Sequence, residues 1–118
     1  MIQSYKDLIV WQKGFQLVIA VYRLTKEFPK TELFGLTSQM RRAAVSVASN
    51  IAEGYSRRSD KEFNRFLLIA IGSASELETQ LLVAKELGLS SVDSFVESEK
   101  LIKESMKLIN CFINKLKN

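Results

Sequence analysis

Two carboxylates, Glu53 and Glu76, are the residues whose type best suits acid–base chemistry, with Ser46 and Asn50 in their company. Gln39, Arg42, Ser46, Asn50 and Glu53 recur at three- or four-residue steps, so a helix would line them along one stripe. Ser73, Glu76 and Gln80 repeat that spacing further along the chain. Two readings are open. One is a ligand or catalytic site built on the two carboxylates. The other is a polar seam between two helices, with Arg42 paired to Glu53 or Glu76 and Asn50 fixing the register. Histidine is absent, which removes the commonest general base and the commonest zinc ligand together. The Glu-x-x-His pairs of di-metal bundles therefore cannot form. Cys111, the single cysteine, cannot close an internal disulfide, and its apolar neighbours Ile109, Phe112 and Ile113 mark it as an inert thiol. No catalytic set, metal or cofactor is expected.

A second constellation is basic. Arg41 and Arg42 sit on the second helical stretch, Arg57 and Arg58 flank the break that follows it, and Lys61 and Arg65 come one turn apart just beyond. Arginine suits phosphate because its planar fork donates two parallel hydrogen bonds. A helix starting after the break would add free backbone N–H groups. These six residues read either as a phosphate-contacting surface or as solvated charges offset by Glu53, Asp60 and Glu62. Lys+Arg 17 against Asp+Glu 13 leaves a net charge of +4, which permits a polyanionic partner without requiring one. Trp11 and the phenylalanines fall on apolar stripes and read as core. Tyr55, beside the break, is placed to stack on a base.

The elements that must position these groups are helical. The chain has 118 residues, enough for one domain spanning 1–118, and its 47% hydrophobic and 25% charged content is that of a globular protein. Five glycines and one proline are too few for a sandwich or barrel. Breakers at Phe28-Pro29, at Gly54 to Asp60 and at Gly88 to Ser91 divide the chain into four stretches. Leu8, Trp11, Phe15, Val18 and Tyr22 form one helical stripe in the first stretch, and Val10, Leu17, Val21, Leu24 and Phe28 form another beside it. Leu36 to Ile51, Phe63 to Ala84 and Phe95 to Leu116 carry one inner face each. Ser59 with Glu62 is a capping box, Ser4 with Asp7 and Ser90 with Asp93 are weaker versions, and Gly88 suits a helix end. Four helices with short connections predict an all-α, antiparallel up-down-up-down four-helix bundle.

Two of these helices are more apolar than a lone bundle needs. Phe66 to Gly72 is apolar around its whole circumference, and a helix greasy on all sides must be covered on all sides. The expected cover is a second copy of the chain, with Val10, Leu17, Val21, Leu68, Ile69 and Ile71 at the oligomer interface. No secretory leader pattern precedes the first helix, and the longest uncharged run, Phe66 to Ser75, is about half of a membrane span. The expectation is a cytoplasmic protein without membrane contact.

The runs Tyr5 to Lys13, Phe28-Pro29 with Glu32, Gln39 to Ser46, Asn50 to Gly54 and Phe63 to Glu78 together resemble one family. It comprises the four-helix bundle proteins encoded in intervening sequences of bacterial large-subunit ribosomal RNA genes. The resemblance covers roughly residues 5–90. It implies a bundle that assembles as a ring, often a homopentamer. It also implies kinship with the accessory protein of diversity-generating retroelements, which binds a reverse transcriptase and nucleic acid through a basic surface. The partners expected on this basis are further copies of the chain, RNA or DNA, and a nucleic-acid enzyme.

Overall fold

A computed structural model of the chain describes residues 1–117. Asn118, included in the expected 1–118 domain, lies outside the described residues. Four helices carry the fold: α1 (Ile9–Thr25), α2 (Ser38–Ser56), α3 (Asp60–Glu86) and α4 (Val96–Leu116), with no strand among the described residues. Short helical turns fill the N-terminal segment and two of the connections. Each helix packs on its neighbour in sequence and α1 packs on α4, so α1/α3 and α2/α4 are the diagonals of a square. The particle measures 43 × 23 × 20 Å, about the length of the 27-residue α3 alone at about 1.5 Å per residue. The expected antiparallel bundle is the observed one.

The inner faces follow the helical periodicity. Met40, Ala44, Val47 and Ile51 on α2 and Phe63, Leu67, Ala70, Ala74, Leu77, Leu81 and Ala84 on α3 are all buried, joined by Phe95, Ile102, Ile109 and Ile113 from the last stretch. On α1 the two stripes have distinct fates. Val10, Leu17, Val21, Leu24 and Phe28 enter the core, whereas of the other stripe only Leu8, just before α1, is buried, Trp11 and Val18 are half-buried and Phe15 and Tyr22 face outward. The expectation that Val10, Leu17 and Val21 form an oligomer interface is therefore corrected: all three are fully enclosed within one copy. Two stripes side by side cannot both point inward, and the periodicity did not say which one did. On α3, Leu68 and Ile69 are exposed as expected, while Ile71 is half-buried against the core.

End signals acted locally. Ser59 caps α3 by accepting the Glu62 N–H at 3.2 Å. The Ser4–Asp7 box is complete, yet it closes only the turn Tyr5–Asp7, because Leu8 is extended before α1 starts. Ser90 and Asp93 form no cap; Ser90 Oγ instead donates to Glu27 and accepts from Ser94 Oγ. Gly88 ends α3 in the left-handed region at φ +67. One 18-residue window of α3 has a mean hydropathy of 1.4, long and apolar enough by composition for a membrane span, and a third of it is buried in the bundle.

Candidate nucleic-acid interface

The bend between α2 and α3 is where basic residues gather. Gly54 lets α3 come close: a Cβ there would lie 2.6 Å from the Cβ of Phe66. That contact holds Phe66 beneath two guanidiniums, Arg57 at 5.2 Å and Arg65 at 4.5 Å from the ring centre. Arg57 also pairs with Glu53 at 2.8 Å and Arg65 with Glu62 at 3.1 Å. Arg65 donates from Nε and Nη2 to the two carboxylate oxygens, and this hydrogen bonding holds the Glu62 carboxyl below its usual range. Both pairs are solvent-exposed and weakened by screening, so a phosphate can compete for either guanidinium. Arg58 and Lys61 are exposed and form no ion pair among the described residues. Arg58 takes a left-handed backbone (φ 59), a conformation far commoner for glycine.

The ends of the chain join this corner. Tyr5 lines a cavity with Tyr55, Arg58 and Phe63, and Lys6 lies 6.0 Å over the Tyr5 ring. Phe63 meets Phe112 of α4 at 5.7 Å, and Lys115 lies 5.9 Å over Phe112. One end of the bundle thus interleaves six cations (Lys6, Arg57, Arg58, Lys61, Arg65 and Lys115) with five aromatic rings. Tyr55 is half-buried, edge-on to Phe63.

Arg41 and Arg42 do not belong to it. They stand near the opposite end of α2, about 24 Å away along the helix. Arg41 is absorbed structurally: its Nε donates to Thr25 Oγ1 at 2.9 Å and its guanidinium covers Tyr22 at 4.6 Å. The polar seam is present in part. Ser46 and Ser73 share a 2.8 Å hydrogen bond between α2 and α3, and Asn50 Nδ2 donates to the Ser46 carbonyl and hydroxyl. Asn50 thus braces α2 itself instead of reaching α3. Arg42 forms no ion pair with Glu53 or Glu76; Glu53 is taken by Arg57. Gln39, Arg42, Ser46, Ser73 and Glu76 line a shallow groove of about 340 Å³ that excludes Glu53. The two carboxylates proposed as an acid–base pair are not brought together. No group of three His, Cys, Asp or Glu side chains able to hold a metal occurs among the described residues.

A family comparison decides where the chain belongs. The 23S rRNA-intervening sequence protein family matches residues 6–111. The chain belongs to that family. A crystal structure of a protein of unknown function from the S23 ribosomal protein family of Bacteroides thetaiotaomicron shares the fold. It has a TM-score of 0.79 and 21% identity, over 89% of this chain and 98% of that one. No curated protein matches the chain.

For this member of the 23S rRNA-intervening sequence family, sequence reasoning missed two features. The first is the contribution of Lys6 and Lys115, which only the closing of the bundle brings to the bend. The second is a lysine strip on the outer face of α4. Lys100, Lys103 and Lys107 are exposed and form no ion pair among the described residues, because Glu99 and Glu104 turn sideways to Lys85 (2.9 Å) and Lys13 (3.3 Å). The spacing of those lysines was a visible signal, masked by interspersed glutamates.

Proposed function

We propose that this chain is a non-enzymatic nucleic-acid-binding protein that works as a homo-oligomer and meets the phosphate backbone with its basic, aromatic-rich end. The observation that carries the reading is the convergence of Arg57, Arg58, Lys61 and Arg65 with Lys6, Lys115 and their rings, while most neighbouring carboxylates are already engaged. Cations resting on aromatic faces present both a backbone-tracking charge and stacking surface, the combination used on nucleic-acid strands. Filter retention of structured RNA and of DNA across a salt series tests it. Affinity should fall with a log–log slope of about −3 or steeper, as expected when four or more phosphates are neutralised. No retention at about 50 mM salt overturns the reading.

Self-association is supported by apolar residues left outward on two diagonal helices. Phe15, Ile19 and Tyr22 lie on α1, and Leu68, Ile69, Leu82 and Val83 lie on α3. Two different faces suit a head-to-tail contact, which closes into a ring when the rotation allows; five copies is the size the family resemblance implies. Light scattering should return a multiple of 13.4 kDa, and a single-chain mass at micromolar concentration would contradict assembly. A second reading, a scaffold for a nucleic-acid enzyme, is favoured by the opposite end of the bundle. There Phe34 is 94% exposed, with Leu33, Leu87, Val92 and Val96 also uncovered. A pull-down recovering only the chain itself would count against that reading.

A further inference from the structure

The basic end contains a cavity of about 560 Å³ between the N-terminal segment and the α2–α3 bend. Its volume lies within the ~300–1,000 Å³ typical of small-ligand sites. Two phenol rings line it, and both are held still by edge contacts: Tyr5 against Trp11 at 5.2 Å and Tyr55 against Phe63 at 5.7 Å. Rings already fixed in this way lose little freedom when a flat ligand stacks on them.

Arg58 and Asp60 line the same cavity. Among the described residues neither side chain takes part in an ion pair or a hydrogen bond, although they are opposite in charge and two positions apart. A free carboxylate is the wrong group for a plain phosphate site, since it repels the anion. It is the right group for the edge of a base, whose amino and imino N–H groups a carboxylate accepts. Guanine alone among the common bases offers two adjacent N–H positions there, matching two carboxylate oxygens. A duplex keeps both the face and that edge of each base occupied.

We propose that this cavity holds one unstacked nucleotide, guanine by preference, of a single-stranded or looped nucleic acid. Arg58 takes the phosphate, a tyrosine ring takes the base face, and Asp60 takes the base edge. The proposal rests on the nucleic-acid reading above and narrows it from backbone in general to an unpaired residue.

Fluorescence anisotropy with three labelled probes tests it: a short uridine strand, the same strand with one central guanosine, and a duplex of equal length. The guanosine strand should bind about five-fold or more tighter than the uridine strand, the lower end of what a bidentate base contact contributes. Asp60→Asn should abolish that preference by lowering affinity for the guanosine strand to that for the uridine strand, whose own affinity stays equal or rises because a repelling charge has gone. Arg58→Gly should weaken both single strands about ten-fold, the loss expected for a charged hydrogen bond, without lowering the melting temperature. Equal binding of all three probes, or a guanine preference that survives Asp60→Asn, overturns the cavity proposal and leaves the backbone reading standing. Failure of every probe to bind defeats the backbone reading itself.

Discussion

Replacing Gly54 by alanine tests how the basic end is built. The added Cβ would stand 2.6 Å from Phe66 Cβ, 3.2 Å from Phe63 Cδ1 and 3.4 Å from Phe63 Cα. Phe66 Cβ is one bond from the backbone and cannot swing aside, so α3 itself must move. Alanine in a helix gains up to about 1 kcal/mol over glycine. Forcing atoms into a filled contact costs about 1–3 kcal/mol, and an obstacle anchored to backbone belongs at the upper end. The net is a loss of about 1–2 kcal/mol, or about 4–8 °C in melting temperature for a chain of this length. Gly72, on the outer face of α3, has nothing within 4 Å of its would-be Cβ. There the same replacement keeps the gain, about 0.5–1 kcal/mol, and melts about 2–4 °C higher. Circular-dichroism melts at one fixed protomer concentration compare the two, since assembly makes the midpoint depend on concentration. A Gly54→Ala protein that melts at or above the parent would refute the close α2–α3 approach and, with it, the placement of Phe66 under Arg57 and Arg65.

The two stripes of α1 give opposite phenotypes: Leu17→Ala should lose about 3–5 kcal/mol of fold stability by denaturant titration. Phe15→Ser should leave the monomer folded and reduce the mass seen by light scattering; an unfolded Phe15→Ser or an unaffected Leu17→Ala contradicts the assignment. Ser105 is fully buried and its hydroxyl has no partner among the described residues, so Ser105→Ala should be neutral or stabilise by up to about 1 kcal/mol; a loss above 1 kcal/mol in urea denaturation contradicts it. Arg65 lowers the Glu62 pKa, so the stabilisation from that pair is present above the ordinary carboxylate range and fades as pH falls through the lowered value. Nucleic-acid retention should rise over the same acidic interval as Arg65 is released. Glu62→Gln should raise affinity at neutral pH and flatten that part of the profile, and an unchanged profile refutes the coupling.

Much of the fold was legible along the chain because helices declare themselves locally. The inner faces of α2, α3 and α4 repeat every three to four residues, and Ser59 and Gly88 mark helix boundaries with residues suited to them. The α1 stripes were both visible, yet choosing the buried one requires the neighbouring helices α2 and α4, against which α1 packs with Gly14 facing Ala48 of α2. The site was legible in type and only partly in place. Arg57, Arg58, Lys61 and Arg65 are close in sequence and stay close in space. Arg41 and Arg42 lie on the helix that ends just before Arg57, near its opposite end.

The sequence alone determined the class of the molecule, four amphipathic helices without histidine and with a modest positive charge, because periodicity and composition are properties of the chain itself. Tertiary structure decided which greasy stripe faced inward, which arginines were engaged by Thr25, Glu53 and Glu62, and that Lys6 and Lys115 met the bend. Those outcomes depend on rotation about each helix axis and on which ends come together, and both are fixed by packing against partners distant in the chain.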